Sequence, residues 1–159
     1  MGLLIIGLFV GAVLGWIAEH VRCKRIILEK IKYGDKYWDM FQLLTEWINL
    51  YERDIKPDVY LEWAGYKTIA VYGNGKMGQC LLKNLRNTDI NVSYVIDRRA
   101  NKMISEVPVL SINDKLPDVD VVIVTVLSDY YAIKNELKSK CTCDIVSIND
   151  VIFGSAIQC

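Results

Sequence analysis

The stretch Lys67-Thr-Ile-Ala-Val-Tyr-Gly-Asn-Gly-Lys-Met-Gly78 decides the fold of this 159-residue chain. It begins with a β-branched apolar run that is typical of a buried strand, and it continues into three glycines with G-x-G-x-x-G spacing. Leucines at helical spacing follow directly. This order of strand, tight turn and helix start is the one that a phosphate-binding βα unit requires.

The three glycines have different roles in such a unit. Gly73 would allow the sharp turn, Gly75 would let a diphosphate approach bare backbone, and Gly78 would let the helix pack closely on the strand. The first amides of the helix and the positive end of its dipole favour an anion. We therefore predict that ligand phosphates are held by the residues of this turn: Gly73, Asn74, Gly75, Lys76, Met77 and Gly78.

An acidic residue supports this prediction. The next apolar run, residues 92–96, ends at Asp97. In a dinucleotide site an acid at this place accepts hydrogen bonds from the adenosine ribose. Arg98 follows and either holds a phosphate or lies in solvent. The pattern predicts NAD(P) or a nucleotide sugar such as a UDP-sugar as the ligand, and the alternative is a βα corner that keeps its glycines for packing and binds nothing.

The rest of the domain repeats the alternation of strand and helix. Five short strands alternate with helical segments over about 90 residues, which predicts a Rossmann-like α/β fold with an open parallel sheet. The strongest strand signal, residues 119–126, is continuously apolar and β-branched, as in a central strand covered on both faces. Its end brings Thr125 to the edge where the glycine turn lies. There the Thr125 hydroxyl either contacts the ligand or closes the turn.

The N-terminal segment is apolar enough to suggest a membrane. Residues 2–18 carry no charge and span about 26 Å as a helix, at the short end of the bilayer-spanning range. The positive charges follow the segment, which places the C-terminal side in the cytoplasm. We predict a single-pass cell-membrane anchor over residues 1–21, with a buried helix as the alternative. Gly7, Gly11 and Gly15 share one helix face and suit helix pairing, as in a homodimer.

Residues 22–64 are predicted to form amphipathic connecting helices that lead to a nucleotide-binding domain over residues 65–159. Gly34 and Asp35 are predicted to separate two helices, with Asp35 as the cap of the second. The apolar stripe of the second helix consists of Tyr37, Phe41, Leu44, Ile48 and Tyr51, and it is widened by Met40, Leu43, Trp47 and Leu50. A face of this width predicts packing on a domain rather than a coiled coil.

Composition argues against several classes of function. Basic and acidic residues number 19 each, which argues against a nucleic-acid partner. Five cysteines without a C-x-x-C motif and a single histidine make a metal site improbable. Tyr130 and Lys134 match the Tyr-x-x-x-Lys spacing of short-chain dehydrogenases, but they lie too early in the chain. No catalytic residue is assigned, and whether the chain is an enzyme stays open, with binding favoured.

Several of these segments resemble one kind of known protein: residues 65–78, 95–99, 108–111, 116–125 and 144–148. They are similar to small Rossmann modules of bacterial capsular and other cell-surface polysaccharide clusters, often described as nucleotide-sugar epimerase-like. A more distant similarity is to the N-terminal domain of bacterial sugar acetyltransferases, whose glycine loop holds a UDP-sugar. The resemblance implies a nucleotide or nucleotide-sugar ligand at Gly73, Gly75, Gly78 and Asp97, and it carries over no catalytic residue.

Three functions are compatible with this resemblance. The first is a membrane-anchored module with a sensing or docking role, bound to a polysaccharide-assembly enzyme or to a second copy of itself. The second is an NAD-dependent nucleotide-sugar epimerase or oxidoreductase that acts with a partner chain. The third is an adaptor protein that binds no nucleotide.

Overall fold

The computed structural model describes residues 2–100 and 105–158, and for residues 2–13 and 32 it describes the backbone alone. The chain divides into two compact units, Met1–Asp39 and Met40–Cys159. Helix α1 spans Gly2–Glu52 and contributes to both. The predicted break at Gly34 and Asp35 is wrong, because the helix continues through both residues. A glycine inside a helix costs only about 1 kcal/mol relative to alanine, which the neighbouring turns outweigh.

No helix within the described residues is long and apolar enough to cross a membrane. The side chains of residues 2–13, which supply most of the predicted anchor, lie outside the described residues. The anchor over residues 1–21 therefore stays a prediction.

The second unit contains a five-stranded parallel sheet with strand order β3-β2-β1-β4-β5. The strand order reverses between β1 and β4, as in Rossmann folds. The predicted Rossmann-like α/β fold with an open parallel sheet of five strands is confirmed. Its elements are α2 (Asp58–Trp63), β1 (Thr68–Tyr72), α3 (Lys76–Asn84), β2 (Asn91–Ile96), β3 (Val109–Leu110), β4 (Val121–Val124), α4 (Tyr130–Lys138), β5 (Asp144–Ser147) and α5 (Ile148–Ile157).

Both faces of the sheet are covered, which explains why β4 is buried along its whole length. On one face Ile69 and Val71 of β1 belong to a core shared with the second-unit part of α1 and with α2, α3 and α5. On the other face Ala70 and Tyr72 belong to a core shared with α4. Alternate residues of one strand thus enter opposite layers, as the pleat requires.

The apolar stripe of α1 is divided between core and solvent. Leu43, Trp47 and Leu50 are buried in the core. The stripe that the sequence emphasises is exposed instead, and its members are Tyr37, Phe41, Leu44, Ile48 and Tyr51. The prediction that a broad face packs on the domain is therefore right for one part of that face and wrong for the other. Two interleaved stripes of equal spacing occur on this helix, and only one can face the sheet.

Asp120 stabilises the amino-terminal edge of the sheet through hydrogen bonds. Its Oδ2 atom accepts hydrogen bonds from the main-chain nitrogens of Lys67 and Thr68, at 2.8 and 2.7 Å, and from the Thr68 hydroxyl at 2.9 Å. These donors, the Thr68 and Lys67 amides first, hold the pKa of the Asp120 carboxyl below its ordinary value. The carboxylate therefore ties the start of β1 to the residue that precedes β4.

Candidate ligand site at the glycine turn

The turn after β1 requires a glycine at its first position. Gly73 has a φ of +102°, a conformation that side chains rarely adopt. Its nitrogen donates to the Ile96 carbonyl oxygen at 2.8 Å, which continues the pairing with β2. A Cβ atom there would lie 2.7 Å from the Thr125 hydroxyl oxygen. Both the backbone conformation and the available space therefore exclude a larger residue.

The other two glycines of the motif differ from each other. A Cβ atom on Gly78 would collide with the Gly73 carbonyl oxygen, so the first turn of α3 lies directly on the turn. A Cβ atom on Gly75 would have no atom within 4 Å, because this position faces open space. Gly73 and Gly78 thus serve close packing, whereas Gly75 leaves the backbone uncovered. An uncovered second glycine is what a diphosphate-binding turn requires.

The amides at the start of α3 follow Gly75 directly in the chain and are candidate donors to a ligand. The hydrogen bonding of the helix begins with Gln79, whose nitrogen donates to the Gly75 oxygen at 3.0 Å. The amides of Lys76, Met77 and Gly78 precede that bond and have no acceptor within the helix. The Lys76 side chain is exposed and adds a cation. The Met77 side chain is packed against the core, so only its main chain can serve a ligand.

Asp97 holds the turn from the end of β2. Its Oδ2 accepts a hydrogen bond from the Asn74 nitrogen at 2.9 Å, and its Oδ1 accepts one from the Arg99 nitrogen at 2.8 Å. The Arg99 Nε atom lies 3.9 Å from Oδ1. An ionised carboxylate has about four acceptor positions, so Asp97 keeps capacity for a ribose hydroxyl. The structure places Asp97 beside the glycine turn, and its contact with a ligand stays a prediction.

Thr125 closes the turn from the end of β4. Its hydroxyl is buried and lies 3.0 Å from the Tyr72 carbonyl oxygen and 3.2 Å from that of Gly73. One proton can be donated to one of these carbonyls at a time. Of the two roles considered for Thr125, the structure shows the closing of the turn.

Arg98 follows Asp97 after the end of β2 and is exposed. The hydroxyl of Tyr72 is near its guanidinium and raises the pKa of Arg98 above the ordinary value. Tyr72 belongs to the core under α4, so Arg98 is near that layer. The hydroxyl of Tyr72 is buried, and among the described residues no partner forms a hydrogen bond of good geometry with it. Nothing in the pattern of residues around Tyr72 indicates this buried hydroxyl.

A cavity of about 390 Å³ adjoins the turn on the flank of α3 that faces β2. Leu82, Leu85, Val92 and Val107 supply apolar walls, and Asn74 and Gln79 bring polar groups from the turn and the first part of α3. Arg86 and Glu106 form an ion pair at the cavity. The spacing of residues in the sequence does not reveal this cavity. The sequence indicates it only through the polar character of residues 98–106. A helix that covered this part of the sheet would need apolar residues there.

Tyr130 and Lys134 contact each other, but their hydrogen bonds connect α4 to β5. The Lys134 Nζ atom donates to the Tyr130 hydroxyl oxygen at 2.9 Å, and that hydroxyl donates to the Ile145 carbonyl oxygen at 3.2 Å. The hydrogen bond from Lys134 raises the pKa of its ammonium group. Within the described residues, no group of three or more potential metal ligands converges.

No protein-family model matches the chain, and a search of curated proteins found no significant match. The geometry alone therefore defines the class, which is a Rossmann-like α/β domain with a glycine turn at the carboxyl edge of its sheet.

Proposed function

We propose that this chain is a nucleotide-binding module that holds the diphosphate of NAD(P) or of a nucleotide sugar at residues 73–78. The observation that carries the proposal is the contrast among the three glycines. Gly73 and Gly78 are enclosed by neighbouring atoms, whereas Gly75 faces open space beside the first amides of α3. A turn that used its glycines only for packing has no need of a glycine at position 75.

Binding is favoured over catalysis because the polar side chains nearest the turn hold the turn itself. Asp97 accepts from two main-chain amides, and the Thr125 hydroxyl is directed at the main chain of β1 and the turn. We infer a sensing or docking role in bacterial polysaccharide biosynthesis, with residues 2–18 as the anchor and the sheet domain in the cytoplasm. The apolar run of residues 2–18 and the sequence resemblance support that role.

The docking part has support from α1. The side chains of Leu44, Ile48 and Tyr51 are exposed on the unit that contains the sheet. Large apolar side chains that share one face favour contact with another protein. A polysaccharide-assembly enzyme is the partner that this role implies. An epimerase or oxidoreductase working with that partner is the alternative, and turnover of a UDP-sugar with added NAD⁺ would favour it.

Titration calorimetry of the full-length protein in detergent with ADP, UDP and NAD⁺ tests the proposal. The decisive variant is Gly75→Ala, because the φ of −73° suits alanine and no atom obstructs its methyl group. We expect Gly75→Ala to fold as the wild type does and to bind at least tenfold more weakly, since the methyl group occupies the diphosphate space. Unchanged affinity in the variant, or no binding to the wild type, would contradict the proposal.

The anchor has its own test. Bacterial membranes that contain the full-length protein are washed with salt and then extracted with detergent. We expect release by detergent alone, since burial of an apolar helix is insensitive to ionic strength. Release by salt would contradict the anchor without affecting nucleotide binding.

A further inference from the structure

The cavity beside α3 begins where the glycine turn ends. Asn74 lines it and is followed directly by Gly75, the residue proposed to approach the diphosphate. A group bound in the cavity therefore lies next to a diphosphate seated on the turn. The inference that follows rests on the proposed function and concerns the part of the ligand attached to that diphosphate.

The apolar walls of the cavity select against a sugar. Leu82 and Leu85 line it from α3, Val92 from β2 and Val107 from the segment before β3. Four aliphatic side chains offer little to the hydroxyls of a sugar, which lose water when buried. Of the two cations in the lining, Arg86 is already paired with Glu106 and Lys83 is exposed. The walls instead suit a flat group with an apolar face.

One polar side chain that lines the cavity has no protein partner. Asn74 is only 2% exposed, and its main-chain nitrogen and oxygen are bonded to Asp97 and Gln79. Its side-chain amide has no hydrogen-bond partner among the described residues. Among the described residues, the enclosed side-chain atoms without a hydrogen bond belong to Tyr72 and Asn149, so the Asn74 amide keeps contact with the solvent of the cavity. A ligand that displaces this solvent can supply a donor and an acceptor to the amide.

We propose that this cavity holds the nucleobase of the bound nucleotide and that the Asn74 amide pairs with the edge of the base. A carboxamide presents a donor and an acceptor side by side, and the edges of adenine and uracil present the complementary pair. The volume of about 390 Å³ is within the range of small-molecule sites. The flat faces of the base contact Leu82 and Val107, and the diphosphate continues to Gly75.

The test compares ligands with and without a base. The full-length protein is titrated with ADP, UDP and inorganic pyrophosphate. The wild type is expected to bind the better of the two nucleotides at least tenfold more tightly than pyrophosphate. Leu82→Trp fills the cavity and is expected to remove this preference while pyrophosphate affinity is unchanged. Asn74→Ala keeps the main-chain bond to Asp97 and is expected to reduce the preference roughly tenfold.

Cys80→Trp is the matched control. Cys80 is exposed and lies two residues before Leu82, but it lines the groove on the other flank of α3. The same bulky residue there should leave the preference intact. Circular dichroism checks that each variant is folded, and Val107→Phe replaces Leu82→Trp if the latter does not fold.

The outcomes separate the two proposals. If nucleotides bind well and the cavity variants keep the wild-type preference, the base lies elsewhere and the inference is overturned, while the proposed function stands. If the wild type binds neither nucleotides nor pyrophosphate, the proposed function fails and the inference fails with it. Loss of preference in the cavity variants but not in Cys80→Trp supports both.

Discussion

The two flanks of α3 carry hollows of different character. The flank toward β2 has a cavity of about 390 Å³, and the Asn74 side chain in its lining has no protein partner among the described residues. The flank toward α1 has a groove of about 220 Å³ whose walls are mostly apolar. In that groove Asn84 donates to the Cys80 carbonyl oxygen at 2.9 Å, so its amide nitrogen is already bonded. The proposed base site thus offers a side-chain amide without a protein partner, whereas the amide nitrogen in the groove toward α1 is already bonded.

The largest expected effect is a loss of stability when a core residue beneath α3 is truncated, compared with truncation of a residue on the cavity flank. Leu81 is fully buried beneath the helix, whereas the adjacent Leu82 is half-buried at the cavity wall. Leu81→Ala should lower the free energy of unfolding by about 2–5 kcal/mol, because it leaves a hole in the core. Leu82→Ala should cost clearly less, and urea unfolding measures both. Equal losses would mean that the cavity wall is part of the tightly packed core.

The next largest loss of stability is expected where α3 packs on the glycine turn. Gly78→Ala places a methyl group against the Gly73 carbonyl oxygen, so the helix must move away from the turn. Overpacking of this kind should cost about 1–3 kcal/mol in unfolding free energy and weaken ADP or UDP binding. The control is Gly75→Ala, which should leave the unfolding midpoint unchanged. If Gly78→Ala were as stable as the wild type, α3 would not lie on the turn as described.

A smaller effect is expected from Thr125→Val, which keeps the shape of the side chain. The hydroxyl lost in this variant lies within hydrogen-bond distance of the Tyr72 and Gly73 carbonyl oxygens, so the turn loses its fastening to β4. We expect a loss of about 1 kcal/mol in thermal or urea unfolding. Pyrophosphate affinity should fall with it, since the turn positions the α3 amides. Thr125→Ser restores the hydroxyl, and stability close to the wild type in that variant would confirm the cause.

The smallest loss of stability is expected at the amino-terminal edge of the sheet, and it should leave both flanks of α3 unchanged. The pKa of Asp120 is lowered by hydrogen bonds from Thr68 and Lys67. A depressed carboxyl pKa contributes stability above the unfolded value of about 3.9, and this stability is lost as the pH falls through the folded pKa. Asp120→Asn should reduce stability at pH 7 and flatten the decline on acidification below about pH 4. Unfolding curves at several pH values measure this, and an unchanged acid profile would contradict it.

The sheet and the turn could be predicted from the sequence because their signals are local. The apolar run before Gly73, the glycine spacing and the β-branched segment that contains Val121–Val124 each depend on neighbouring residues. The structure gives them the expected order and direction. The open position of Gly75 also follows from the motif, since the second glycine of such a turn is the one that faces a ligand.

The other features could not be predicted because they depend on packing between residues that are distant in the sequence. Leu43 and Leu44 are equally apolar neighbours on α1, yet the first is buried and the second is exposed, because the sheet contacts one side of the helix. The burial of Asn74 and the cavity beside it depend on where α3, β2 and residues 105–107 meet. The spacing of neighbouring residues does not show which distant segments come into contact. Predictions from spacing therefore located the turn but not the space next to it.

The bond between the Asp97 carboxylate and the Asn74 nitrogen has a kinetic consequence. It forms between parts of the protein alone, so the turn has this shape without a ligand. A preformed site avoids the entropy loss of ordering a loop on binding. With the proposed function, ligand exchange would follow diffusion and the lifetime of the contacts, without a slow rearrangement. The proposed module would then respond promptly to changes in nucleotide concentration.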